Sequence, residues 1–186
     1  MWPLWERFAR VLWPTVDVPY STYRLLSIHI HEYKGWAFTL ADGVEIRRGD
    51  LVAELHFNNA KMMEALGDAS GSQKWLSARM FRDGLEALAR WMAGPAFHSD
   101  VKAIYGVTIL ARSARRLGFS VRPRRSTLGA RVEGIFLAGL LAIYTAEGAD
   151  RLVGTTPIEP PGEIWMSRAE LMSRYGPQKR GGSRSR

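Results

Sequence analysis

Two acid–glycine pairs, Asp42-Gly43 and Gly49-Asp50, stand close together between short β-prone segments, and they constrain the fold more than any other feature of this sequence. Asp-Gly supplies the positive φ that a tight hairpin turn needs, so residues 36–40 and 44–46 are predicted to pair as antiparallel strands. The turn Arg48-Gly49-Asp50 then feeds a further strand over residues 51–57. Upstream, residues 23–33 alternate in part and stop at Lys34-Gly35, which predicts a strand before the hairpin.

Helical spacing takes over downstream. Asn58 or Asn59 is placed to cap a short helix over residues 60–66, stopped by Gly67. Between residues 73 and 92, Ala78, Phe81, Leu85, Leu88 and Met92 recur at intervals of three and four, a stripe that faces a core. Residues 101–109 are rich in β-branched side chains and read as a buried strand. Residues 110–117 form a short helix that Gly118 closes in a left-handed position, with Phe119 packing back, and residues 119–122 return as a strand. Ser126 or Thr127 opens a helix to about residue 147, apolar nearly all round between Ile135 and Tyr144. Residues 157–161 are an extended linker. Ser167-x-x-Glu170 is a capping box that starts a last helix ending at Tyr175-Gly176-Pro177. Strands first, then helices mixed with strands, predict an α+β protein: a small mixed or antiparallel sheet with helices packed mainly on one face, in a single domain over residues 20–176.

The chain of 186 residues carries 26 Lys and Arg against 18 Asp and Glu. Half of the resulting net charge of +8 comes from Lys179, Arg180, Arg184 and Arg186, in a tail over residues 177–186 of Gly, Ser and basic residues. That tail buries too little apolar area to offset its ordering entropy and is predicted to be disordered. A second concentration comprises Arg112, Arg115, Arg116, Arg122, Arg124, Arg125 and Arg131, with no acid among them. Arginines in such number grip phosphates well. Nucleic-acid patches, however, interleave aromatic residues, and only Phe119 lies among these. A solvated basic face is the plainer reading, with anion binding as its alternative.

At the start of the chain, Trp5, Phe8 and Leu12 define one apolar helical face, with Pro3 and Pro14 at its ends. Glu6, Arg7 and Arg10 interrupt the apolar stretch that a signal peptide requires. Residues 1–14 are therefore read as an amphipathic helix. It docks on the body of the protein or on a second subunit, or lies in a membrane interface through Met1–Trp13. The strongest apolar run elsewhere, Ile135 to Tyr144, is ten residues, short of the ~20 that span a bilayer. The expected location is cytoplasmic, with peripheral attachment at the inner membrane face as the alternative.

The chain has no cysteine, which excludes thiolate zinc sites, cysteine nucleophiles and redox dithiols. Side chains two apart on a strand share a face, so His29 and His31 point one way, and Glu54 and His56 do so on their own strand. If the two strands are neighbours, three imidazoles and a carboxylate converge. That set suits a divalent ion, general-base chemistry or ligand binding, and equally the solvated face of a half-exposed sheet. No cofactor or metal is assigned. No P-loop, Gly-x-Gly-x-x-Gly or Gly-x-Ser-x-Gly is present. Arg115 to Ser120 imitates a coenzyme A pyrophosphate loop, but its Gly118 closes a helix where such a loop must open one.

Several motifs look familiar together. Lys34-Gly35, Leu40-x-Asp42-Gly43, Gly49-Asp50 and Glu54-Leu55-His56-Phe57-Asn58-Asn59 resemble the YkoP-like domain family of bacteria, as do Gly106 to Leu110, Arg116-Leu117-Gly118-Phe119 and Ser167-Arg168 through Tyr175-Gly176. The resemblance spans residues 23–176. Members of that family occur alone or attached to polysaccharide deacetylase domains, so the resemblance implies a link to cell-envelope carbohydrate by association. The deacetylase metal motif His-x-x-x-His does not occur in this sequence, and that chemistry is not carried over. The combined expectation is an accessory domain binding a small or anionic ligand near His56, with Glu54, Asn58 and Asn59 beside it and His29 and His31 as second choice. From a different class comes an acyl-transfer or hydrolytic enzyme using His56 as general base with Glu54. A third reading is an arginine-mediated nucleic-acid binder.

Overall fold

The computed structural model describes residues 15–58, 73–97, 100–108, 111–123 and 162–177. Eight strands are present among them: β1 (Val16–Asp17), β2 (Leu26–Glu32), β3 (Phe38–Thr39), β4 (Glu45–Ile46), β5 (Leu51–Phe57), β6 (Ala103–Thr108), β7 (Ser120–Pro123) and β8 (Gly162–Ser167). Six form one sheet in the order β1-β2-β5-β6-β8-β7, while β3 and β4 pair as a separate hairpin. Neighbours are antiparallel except β5 and β6, which run parallel. A parallel pair needs a crossover, and helix α1 (Gln73–Ala93) lies in it. Helices α2 (Ala111–Arg116) and α3 (Arg168–Tyr175) follow. Of the two sheet types expected, the structure has the mixed one.

The alternation of β2 and β5 assigns the two faces. Leu26, Ile28, Ala53, Leu55, Ile104, Ile164 and Met166 pack with Leu85, Leu88 and Met92 of α1 and with Leu171 and Tyr175 of α3. On the opposite face Val52, Ala103 and Trp165 pack under Leu40 and Ile46 of the hairpin. Helices therefore cover one side of the sheet and the β3–β4 hairpin part of the other. The predicted stripe of α1 is buried at Leu85, Leu88 and Met92, while Phe81 stacks on Phe57 with ring centroids 4.9 Å apart. Met80, Ala87 and Ala89 are buried too, so the helix presents a wider face than the stripe.

Turn chemistry accounts for the hairpin and for the end of α2. Gly43 adopts φ +85°, and the Gly43 amide donates to the Leu40 carbonyl at 3.0 Å. Gly118 adopts φ +91°; the amide of Phe119 donates to Ala114 and that of Gly118 to Arg115, the paired bonds of a Schellman ending. The coenzyme-like stretch around it is thus the carbonyl end of a helix, the wrong pole for a phosphate. The residues that carry the family resemblance also join elements. The Ser167 hydroxyl donates to Asp42 in the hairpin turn and accepts from the Glu170 amide at 2.9 Å, capping α3. Asp50 accepts from Lys102 Nζ at 2.9 Å, tying the second turn to the start of β6.

Two strands are absent from the sequence reading. β1 is too short to show a period. β8 lies inside the sheet with Ile164, Trp165, Met166 and Ser167 all buried, so it lacks the alternation of a half-exposed strand. The predicted strand over residues 23–33 begins only at Leu26, because Arg24 takes φ +49° in the preceding turn. Residues 1–14, the helices predicted over 60–66 and 126–147, the linker 157–161 and the tail beyond Pro177 lie outside the described residues. Among the described residues no helix is long and apolar enough to cross a membrane.

Candidate functional site

The strand register brings the predicted histidines together. β2 and β5 are direct neighbours, with His29 opposite Glu54, Ser27 opposite His56 and His31 opposite Val52. The four polar side chains share the face that carries the hairpin, away from the helices. Glu54 is the hub: its Oε2 lies 3.7 Å from His31 Nε2 and 4.0 Å from His56 Nε2. The His29 and His31 rings stack with centroids 5.2 Å apart. The site is half-open, His31, Glu54 and His56 keeping 28%, 27% and 36% of their side chains exposed.

Tyr105 completes the group, and sequence reasoning missed it. It lies opposite Glu54 across the parallel pair and opposite Trp165 across the next, so His29, Glu54, Tyr105 and Trp165 form one row across four strands. Its hydroxyl is 2.9 Å from His31 Nε2, and His31 Nδ1 is 2.9 Å from the Glu32 carbonyl. A carbonyl only accepts, so the neutral His31 ring carries its proton on Nδ1 and takes the Tyr105 O–H at Nε2. Behind Tyr105, Trp165 stacks on it with centroids 4.5 Å apart and holds the phenol in place. A tyrosine among β-branched residues was the available signal; its membership depended on a register between remote strands.

The electrostatics single out His56. Its Nε2 is withdrawn from solvent and has no hydrogen-bond partner among the described residues. Burial holds the imidazole below its ordinary pKa of 6.5; the Glu54 carboxylate opposes this, and His29 and His31 add to it. A histidine held low in the folded state binds its proton less readily than in the unfolded chain. The stability it contributes is present above pH 6.5 and falls as the pH drops through 6.5 towards the lower folded value. Urea titrations from pH 7.5 downward are expected to show the wild-type chain losing stability relative to His56→Gln across that window. A wild-type-minus-variant difference that does not change with pH would contradict the buried neutral imidazole.

Tetrahedral coordination with bonds of about 2.05 Å sets neighbouring ligand atoms about 3.4 Å apart, closer than the separations around Glu54. Among the described residues no group of three imidazole or carboxylate side chains is spaced to hold a metal ion. Asn58 follows β5, its amide donating to the Leu25 carbonyl at 2.8 Å, while Asn59 lies outside the described residues. The arginines divide. Arg115 and Arg116 are exposed on α2, whereas Arg122 lies over the Phe38 ring at 3.5 Å on the hairpin side; the side chains of Arg112, Arg124 and Arg125 lie outside the described residues. An open depression of about 260 Å³ beside β1, walled by Val16, Ile28, Ile30, Trp91 and Phe97, meets the polar group only at His29.

Fold and site together define an α+β domain that carries its polar chemistry on a sheet face beside a hairpin. The chain belongs to the YkoP domain family, whose model matches residues 1–175. It is similar to "Uncharacterized protein YkoP" of Bacillus subtilis (strain 168), 24% identical over 123 residues, which covers 59% of this chain and 67% of that protein. No solved structure matches it significantly.

Proposed function

We propose that this YkoP domain is a binding domain whose sheet face around Glu54 takes a small polar ligand beside His56. The observation that carries the reading is the shielded, unpartnered His56 Nε2, facing a carboxylate oxygen across 4.0 Å. A buried polar atom without a partner costs about 1–3 kcal/mol, and a ligand that bonds to it recovers that cost. Where the sequence led to expect a small or anionic ligand, a small neutral polar or cationic one fits this place better, because an anion beside His56 would meet the Glu54 carboxylate.

A thermal-shift screen of divalent metals, acyl-coenzyme A, nucleotides and amino sugars, run on the wild-type chain and on His56→Ala, tests the reading. A ligand at a hundredfold its Kd stabilises by about 2.7 kcal/mol. At least one class is expected to stabilise the wild-type chain and to leave the variant unmoved. Equal responses in both would place binding elsewhere, and no response at all would favour a protein-interaction role. The amino-sugar arm also tests the cell-envelope link implied by the family resemblance.

One observation favours an enzymatic second reading. His31 has oriented hydrogen bonds on both ring nitrogens, to the Glu32 carbonyl and the Tyr105 hydroxyl, each at 2.9 Å. The Glu54–His56 separation of 4.0 Å is too long for the direct hydrogen bond by which a carboxylate orients a base. In this reading His31 and Tyr105 move the proton, and His56 and Glu54 bind.

A further inference from the structure

Resting on the ligand-site reading above, we infer that the site takes a protonated primary amine, held by Glu54 and His56. In a chain with 26 basic and 18 acidic residues, a half-buried carboxylate would ordinarily be paired with Lys or Arg. Among the described residues the ion-pair contacts of Glu54 are to imidazoles only, His31 at 3.7 Å and His56 at 4.0 Å. Two cations of the same sheet are engaged elsewhere: Lys102, just before β6, with Asp50 at 2.9 Å, and Arg122 of β7 over Phe38 at 3.5 Å. The Glu54 carboxylate thus has no Lys or Arg beside it among the described residues.

The spacing selects the kind of cation. Two acceptors cannot bond to each other, yet once the groups that shield His56 Nε2 from solvent turn aside, one ammonium nitrogen between atoms 4.0 Å apart reaches both at about 2.8 Å. With His56 in its Nδ1–H tautomer, such a nitrogen donates one hydrogen to Glu54 Oε2 and a second to the His56 Nε2 lone pair. The unpartnered imidazole nitrogen is thereby satisfied and the carboxylate neutralised in one step. The Tyr105 hydroxyl, already directed at His31 Nε2, leaves that ring in its place while the amine binds. A bare tetrahedral ion would have to draw the same atoms closer together.

The test is a titration at pH 7.5 followed by the histidine ring resonances of the full chain. Ethanolamine is compared with ethylene glycol and glucosamine with glucose, and glucose 6-phosphate serves as the anionic arm. The amines are expected to shift the His56 and His31 resonances and to bind about tenfold or more tightly than their neutral counterparts. Glu54→Gln, checked for unchanged melting temperature, is expected to abolish that preference. Neutral sugar or sugar phosphate binding at these rings as tightly as glucosamine would overturn the amine and leave the ligand site standing. Failure of every probe to move an imidazole would also overturn it. A screen hit lost in His56→Ala would then still support the ligand site, whereas a silent screen would remove both.

Discussion

Trp165→Ala is expected to destabilise the protein by about 3–5 kcal/mol, a large share of the roughly 5–15 kcal/mol that holds a domain of this kind together. Trp165 is 1% exposed in the middle of β8 and forms the floor under the hairpin. Phe38 and Tyr33 meet it edge-on at 4.9 and 5.5 Å, Tyr105 stacks on it at 4.5 Å, and its indole N–H donates to Glu163 at 3.1 Å. Truncation leaves a void with an aromatic on several sides, and these side chains come from separate segments of the chain that cannot close it together. Urea denaturation measures the loss. Trp165→Phe, which keeps a ring and gives up mainly the hydrogen bond, is expected to lose far less. Hydrogen exchange at the amides of β3 and β4 in Trp165→Ala is expected to speed up ahead of the rest of the sheet. A loss below about 1 kcal/mol, within reach of an ordinary surface change, would show that the hairpin does not rest on this indole.

Gly84→Ala is expected to destabilise, against the usual gain of about 1 kcal/mol for replacing a helical glycine. A Cβ built there lies 2.7 Å from Leu26 Cδ1 and 2.9 Å from Leu26 Cγ. Leu26 is 1% exposed and locked between α1 and the sheet, so overpacking of about 1–3 kcal/mol outweighs the helix gain. The coupling is testable as a double-mutant cycle. Leu26→Ala alone leaves a cavity, and Gly84→Ala added to it is expected to be neutral or stabilising, giving a favourable interaction term. A stabilising Gly84→Ala in the wild-type background would mean that α1 does not press on β2. Because β2 carries His29 and His31, the same contact sets how the helix layer supports the polar face on the other side of the sheet.

Much of the candidate site was legible in advance because strand alternation is a local property. His29 with His31, and Glu54 with His56, share a face whichever strand lies next to them. Whether β2 and β5 pair across the intervening hairpin is not set by the alternation; the structure pairs them, and the register places Glu54 between the imidazoles. Tyr105 was not legible. It joins through a parallel pairing that a long crossover makes, and no turn residue sets that register. The sheet strand β8 escaped notice for a related reason: with both faces covered, its polar–apolar alternation disappears.

The amino-acid sequence alone determined the turns at Gly43 and Gly118, the capped start of α3, the buried side of α1 and the sharing of faces within each strand, since each depends on neighbours a few residues away. The tertiary structure decided which strands lie side by side, which face the hairpin covers, and that a tyrosine and a tryptophan extend the histidine–glutamate row. Those choices depend on packing both faces of the sheet at once, a condition that no short stretch of chain contains.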